Sequence, residues 1–339
     1  MKHDIIFLND KDMESLGVSD MRAAIKDVER AYELYACGDT IVPDKCVLRW
    51  GKTAEDENVL GRINAMPSYI GGEYNVAGIK WIGSGPMNYK KGLPRASVTV
   101  ILNDPDTKLP VCIANGTAVS VMRTGASGGV AIKALAKRDA RVMTICGTGA
   151  QAPAQLEAAL IARPTIKLVY AYDIRPENAL RFSDNMTEKF GIKVVAENDV
   201  EKACKESDII DCVTLADRPF IKAGWIKKGC LLMNMADYEV EYGCVEKADK
   251  IVCDFWEGIK HRMISTVALM WKDGLIKDGD IHAELGEIIS GGKNGRENED
   301  EIIYFNAVGA GILDLAVVKR CYDKAKRLGK GTVLPFQES

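Results

Sequence analysis

The feature that most constrains this chain is a rhythm that sets in near residue 125. Six short β-type runs follow one another: Val142–Cys146, Leu168–Tyr172, Lys193–Ala196, Asp208–Val213, Cys230–Asn234 and Lys250–Asp254. Helical patterns at Gln151–Ala162, Glu177–Phe190 and Val200–Glu206 separate the first four. Such alternation predicts a parallel sheet, because parallel neighbours need a crossover and the right-handed helical crossover suits the twist of the strands. The first run ends in Gly147-Thr148-Gly149-Ala150-Gln151-Ala152. Gly147 permits a tight turn, Gly149 lets backbone approach a pyrophosphate, and Ala152 is small where helix and strand pack. The helix opening there offers unpaired N–H groups to phosphates, and Pro153 costs little in its first turn. The second run ends in Asp173, an acid suited to ribose hydroxyls and repulsive to a 2′-phosphate. Together these features predict a dinucleotide-binding domain that prefers NAD to NADP. Arg175, two residues on, softens that preference.

Composition sets the limits. A chain of 339 residues suggests two domains, possibly three. Its 47 % hydrophobic and 27 % charged residues match an ordinary enzyme and exclude a disordered chain. With 45 basic and 48 acidic residues the net charge is −3, and no basic block is present. Nucleic acid and anionic membrane are therefore poor partners. Ten Cys without a C-x-x-C spacing and three His argue against a metal site. The cysteines read instead as reduced, buried thiols of a cytoplasmic protein. The polar start lacks the apolar core of a signal peptide. No apolar run approaches the roughly 20 residues of a membrane span.

Before the alternation, the pattern is that of an α+β unit. Ile5–Leu8 reads as a strand, and Met21, Ile25, Val28, Ala31, Tyr32 and Tyr35 recur at helical spacing. Ser19 is the expected N-cap of that helix and Gly38 its stop. Cys46–Trp50, Asn75–Ile82, Ser97–Asn103 and Leu109–Ala114 read as extended, with a hairpin turn at Asn103–Thr107. A last helix, Gly311–Leu328, follows the loop Asn306–Gly309, outside the α/β rhythm. It is expected to return to the N-terminal unit. The charged run Asn294–Glu301 reads as a solvated turn.

Three cations lie in apolar surroundings: Arg49 in Cys46–Trp50, Lys80 in Val76–Gly83 and Arg123 in Val119–Gly125. A buried cation needs a partner. Such side chains can also snorkel to water or form internal ion pairs. Beside a dinucleotide site they suggest a pocket for a substrate carboxylate, which Arg can hold in bidentate fashion. Asp237 follows the run Cys230–Asn234, at the carboxyl edge of the sheet where ligands bind in such folds. It is the candidate proton relay, the alternative being a helix cap or surface turn.

Several motifs resemble the ornithine cyclodeaminase/μ-crystallin family over essentially the whole chain. They are Ala65-Met66-Pro67, Gly78-Ile79-Lys80-Trp81, Met122-Arg123-Thr124, Gly147–Gln151, Tyr172-Asp173 and His282–Ile288. The resemblance implies a Rossmann domain over 126–307. It also implies an α+β substrate-binding and dimerisation domain over 1–125 and 308–339, in a homodimer. By the same resemblance Arg49, Lys80 and Arg123 gather an amino-acid carboxylate, Asn64 and Met66 line the substrate, and Asp237 and Lys80 handle protons. Ser97, Arg123, Thr124, Thr214 and Met235 join Gly147, Thr148, Gly149, Ala150, Gln151, Asp173, Ile174 and Arg175 in holding NAD. The implied chemistry removes hydride from an amino-acid Cα to NAD and leaves an imine, which is hydrolysed, cyclised or reduced again. The chain departs from the family's cyclodeaminases at Asn64, where they carry a Glu for the distal ammonium, and at Glu241, where they carry a Lys for the cofactor phosphate. The expectation is therefore an NAD-dependent oxidoreductase acting on the C–N bond of an amino acid or N-carboxyalkyl amino acid. The alternatives are a cyclodeaminase-type ammonia-lyase, using NAD catalytically to give proline or a related cyclic amino acid, and a non-catalytic binding protein. Lys80, Arg123 and Asp237 speak against the last.

Overall fold

A computed structural model of the chain describes residues 3–53 and 56–338. It divides into two compact units, one running to Arg123 and resuming at Ala310, the other spanning Thr124–Gly309.

The first unit begins with β1 (His3–Leu8), α1 (Asp10–Ser15) and α2 (Met21–Ala36). It continues through β2 (Thr40–Ile41), β3 (Cys46–Leu48), β4 (Arg62–Ile70), β5 (Val76–Ser84), β6 (Ala96–Asn103) and β7 (Pro110–Asn115). Strands β4 to β7 form an antiparallel meander, and β1 lies parallel to β7. Asp20, not Ser19, caps α2 by accepting from the Ala23 N–H at 3.1 Å. Ser19 Oγ donates instead to Glu14. The sequence gives no extended pattern for β4, because Pro67 sits in its middle. The β4–β5 register nevertheless runs unbroken from Arg62 to Ile70. On the other edge β3 pairs only with residues 63–65 and β2 only with 69–70, so Pro67 falls in the uncovered gap. Its missing N–H breaks no ladder there.

Helix α3 (Thr117–Leu135) carries the chain into the second unit. Its glycines hide it from a propensity reading, yet they serve packing. A Cβ at Gly125 would lie 2.7 Å from the Ala154 backbone, and one at Gly128 would lie 2.0 Å from Gln155 Oε1.

The second unit contains β8 (Val142–Cys146), α4 (Ala152–Ala162), β9 (Leu168–Tyr172), α5 (Pro176–Phe190), β10 (Lys193–Ala196), α6 (Val200–Glu206) and β11 (Ile209–Cys212). It goes on through β12 (Leu231–Asn234), α7 (Tyr242–Glu246), β13 (Lys250–Cys253), α8 (Trp256–Arg262), α9 (Thr266–Lys272), β14 (Ala283–Glu284), α10 (Leu285–Ile289) and β15 (Ile303–Asn306). All eight strands are parallel, in the order β10-β9-β8-β11-β12-β15-β13-β14. The order reverses between β8 and β11, which makes their carboxyl ends the ligand-binding crevice of a doubly wound sheet.

Two expectations are corrected here. The run 294–301 is pinned rather than merely solvated: the buried Lys250 Nζ donates to Gly295 O at 2.6 Å and pairs with Glu297 at 2.6 Å and Glu301 at 3.2 Å. Arg296 Nε donates to Leu135 O at the end of α3. Of the ten cysteines eight are buried, but Cys37 and Cys46 are exposed.

At Ala310 the chain rejoins the first unit through α11 (Gly311–Leu328) and β16 (Thr332–Gln337), which pairs antiparallel with β1. Helix α11 lies close against the meander. A Cβ at Gly311 would sit 2.6 Å from Met66 O, and one at Gly78 would sit 3.0 Å from Leu315. Arg320 Nε on α11 pairs with Asp27 on α2 at 2.6 Å. Among the described residues no helix is long and apolar enough to cross a membrane, and no cluster of three or more His, Cys, Asp or Glu could hold a metal.

Candidate functional site

The loop after β8 is shaped by its glycines. Gly147 has φ +91°, and a Cβ there would press within 2.9 Å of Thr214 Cγ2 and Val213 O. Its N–H donates to Tyr172 O at 2.8 Å, tying the loop to the end of β9. At Gly149 a Cβ would meet no protein atom within 4 Å, so this position borders open space. Gln151 is the N-cap of α4 and makes no side-chain cap, and its Oε1 is buried without a partner. Open space at a glycine, against an uncapped helix N-terminus, is what a pyrophosphate requires.

Asp173 accepts from the Thr148 N–H at 3.0 Å, Thr148 Oγ1 at 2.8 Å and the Arg175 N–H at 3.0 Å. Burial alone would raise its pKa, but the hydrogen bonds from Arg175 and Thr148 outweigh it and hold the carboxyl below its ordinary value. It therefore stays ionised at neutral pH, the state a ribose-binding acid needs. Ile174 and Arg175 follow it on the exposed side. Gly147, Thr148, Gly149, Ala150 and Gln151 could hold a pyrophosphate and Asp173 a ribose. Thr124 lies on α3, where its carbonyl accepts from Gln155 Nε2 at 3.2 Å.

Thr214 and Met235 stand just beyond β11 and β12, at the same carboxyl edge. Here the structure adds a residue that the sequence reading missed, the fully buried Glu239. Its Oε1 accepts from the Thr214 N–H at 2.6 Å and Thr214 Oγ1 at 2.7 Å, and its Oε2 accepts from Asn234 Nδ2 at 2.6 Å. Burial pushes its carboxyl up to about 7, against the opposing pull of the Thr214 and Asn234 hydrogen bonds. Asn234 Nδ2 also reaches Asp237 O at 3.1 Å. The Asp237 carboxylate is paired with Arg262 Nη2 at 2.6 Å. Nothing in the sequence marks Glu239 beyond its place two residues after Asp237.

In the first unit the alternation of β5 turns Lys80 inward, in register with Met66 on β4 and Val100 on β6. Lys80 is 1 % exposed. Its Nζ donates to Ser120 Oγ at 2.8 Å and pairs with Asp314 Oδ1 at 2.7 Å. Arg123 Nε lies 3.3 Å from the other oxygen, Asp314 Oδ2. Burial, reinforced by Arg123 and opposed by Asp314, pushes Lys80 down to about 8. Asn64 lies one side-chain repeat along β4 from Met66, and its Oδ1 is buried without a partner. Two expected residues stand apart. Arg49 follows the short, wholly exposed β3 and is itself exposed, the solvent-facing alternative for a cation in an apolar run. Ser97 is exposed on β6, opposite Gly83. Asp314 was missed, although one acid within Gly311-Ile-Leu-Asp314-Leu-Ala-Val-Val318 is the same signal that singled out the cations.

The profile of the ornithine cyclodeaminase/mu-crystallin family matches residues 6–329, and the chain belongs to that family. It is 33 % identical to the N-((2S)-2-amino-2-carboxyethyl)-L-glutamate dehydrogenase of Staphylococcus aureus, covering 98 % of this chain and 99 % of that one. Among solved structures it resembles Thermococcus litoralis Δ1-pyrroline-2-carboxylate reductase in complex with NADH and L-proline. That match has a TM-score of 0.88 and 36 % identity, over 97 % of this chain and 99 % of that one. An archaeal alanine dehydrogenase dimer with bound NAD matches with a TM-score of 0.90 and 34 % identity, over 99 % of this chain and 100 % of that one.

Proposed function

We propose that the protein is an NAD-dependent oxidoreductase that acts on the C–N bond of an amino acid or N-carboxyalkyl amino acid through an imine. The observation that carries the reading is the buried cluster of Lys80, Arg123 and Asp314, two cations against one anion. Its excess positive charge is costly unless an anion arrives. An amino-acid carboxylate supplies that anion. NAD, when bound in the second unit, supplies the acceptor for hydride from the substrate Cα.

The chain's own residues do the rest. Arg123 and Lys80 take the carboxylate and orient the amino acid. An ammonium must lose a proton before its Cα–H can leave as hydride, and Lys80, with its pKa near 8, is poised to accept one. Asp237, braced by Arg262, is the second proton-handling group. Asn64 presents a neutral amide, so a substrate with a distal ammonium finds no counter-charge there. The dehydrogenase and reductase activities of the relatives support this direction of chemistry.

The protein is proposed to act as a homodimer. Ile41, Leu48 and Trp81 are exposed, 63 %, 50 % and 43 % respectively, and register places them on the sheet face opposite Lys80 and Met66. A second copy of this face would cover them, and the alanine dehydrogenase relative is a dimer. The thiol-rich second unit supports a reducing, cytoplasmic setting.

The test is a panel of amino acids and N-carboxyalkyl amino acids mixed with protein and NAD, with NADH and ammonia followed in parallel. NADH in step with substrate consumed is the expected result. Ammonia without net NADH overturns the reading in favour of a cyclodeaminase.

A further inference from the structure

We propose that Asp314 is a positioning residue of the amino-acid site: its buried carboxylate divides Lys80 and Arg123 between its two oxygens and so governs the proton that Lys80 carries. The proposal rests on reading this cluster as the carboxylate site.

Packing fixes Asp314 before any ligand arrives. Gly311 seats the start of α11 against Met66 O and Ser68 Oγ, where any side chain would clash. Asp314 follows within the first turn and is 0 % exposed. Its oxygens meet Lys80 Nζ at 2.7 Å and Arg123 Nε at 3.3 Å, so one rigid group sets the spacing of both cations.

The surroundings of Lys80 leave few other influences. Helix α3 contributes Arg123 and the Ser120 hydroxyl, α11 contributes Asp314, and the facing strands present Met66 and Val100. Burial and Arg123 favour the neutral amine, whereas Asp314 favours the ammonium. Their balance leaves Lys80 able to exchange its proton near neutral pH. In the oxidative direction the neutral Nζ takes one proton from the substrate ammonium and becomes an ammonium paired with Asp314. The substrate is left as a free amine, and no other bond changes in that step. Without Asp314, Lys80 would give up its proton at a lower pH, and Arg123 would lose its buried counter-charge.

The test is an NMR titration of the full-length protein carrying isotope-labelled lysine, with the Lys80 signal assigned by Lys80→Arg. Asp314→Asn is expected to move the Lys80 midpoint down by about one pH unit or more, the usual effect of a lost opposite charge at contact distance. Ser120→Ala, which removes only a neutral partner, is expected to move it less. An unmoved or raised midpoint in an Asp314→Asn protein that still binds NAD overturns the proposal. If Asp314→Asn does not fold, Asp314→Glu keeps the charge and is expected to hold the midpoint within about half a unit. A fall of a unit or more in that variant also overturns it. Lys80→Met separates the two claims. Retained turnover removes the carboxylate-site reading, whereas the titration of Lys80 in Asp314→Asn is unaffected by that result.

Discussion

The two units make their candidate sites from opposite materials. In the second unit the site is mostly backbone: a glycine at φ +91°, another bordering open space, and a helix end without a side-chain cap. In the first it is side-chain charge, a lysine and an arginine held by one aspartate in a sheet–helix interface. A backbone site is shaped by what is absent, so adding atoms damages it. A charge site is shaped by balance, so removing one group changes the behaviour of the others.

The largest expected effect breaks the backbone site. Gly149→Val places a side chain where no protein atom lies within 4 Å. The fold should survive, and NAD affinity should fall on the order of 100-fold, because the branched side chain occupies the pyrophosphate's approach. Calorimetric titration with NAD beside a thermal melt checks both halves. Unchanged affinity would remove the loop from the cofactor site.

A smaller effect sharpens the division between the sites. Asp237→Asn breaks the ion pair with Arg262 and removes the proposed second proton-handling group. A fall in kcat of about 10-fold or more is expected, with NAD affinity within about twofold. Steady-state kinetics over a pH series is the measurement, and full turnover would take Asp237 out of the reaction. In the same series the oxidative rate should rise with pH through about 8, as Lys80 becomes the neutral base, and the reductive rate should fall.

The smallest effect concerns stability. Burial raises Glu239 from 4.5 to about 7, so the folded protein binds this proton more tightly than the unfolded chain does. Glu239 therefore adds stability below about 4.5, and that contribution is lost as pH rises toward 7. Glu239→Gln should flatten that part of the Tm-against-pH curve. An identical slope in the variant would show that Glu239 does not titrate there.

What the sequence revealed follows the same contrast. Local patterns were legible: β8, β9 and β10, the crossover α6 and the long α11 all lie where periodicity and small residues place them. So was the glycine loop, whose parts are consecutive. Elements whose logic is tertiary were not legible. Strand β4 is interrupted by Pro67, which only the gap between β2 and β3 makes harmless. The glycines of α3 make sense only against Ala154 and Gln155. Strand β15 has four residues after an acidic run, yet it inserts between β12 and β13 with Tyr304 and Phe305 fully buried. Lys80 and Arg123 were visible as cations in apolar runs, but their shared counter-ion comes from the other end of the chain. Glu239 needed the meeting of two strand ends.

The central claim is net transfer of hydride from an amino-acid Cα to NAD. Its most direct test uses the substrate found in the panel, deuterated at Cα, with the products followed by NMR. The account predicts deuterium at C4 of the nicotinamide in accumulating NADH, together with an imine or its hydrolysis product. Deuterium returned to Cα of a cyclic product, with no NADH formed, would contradict it.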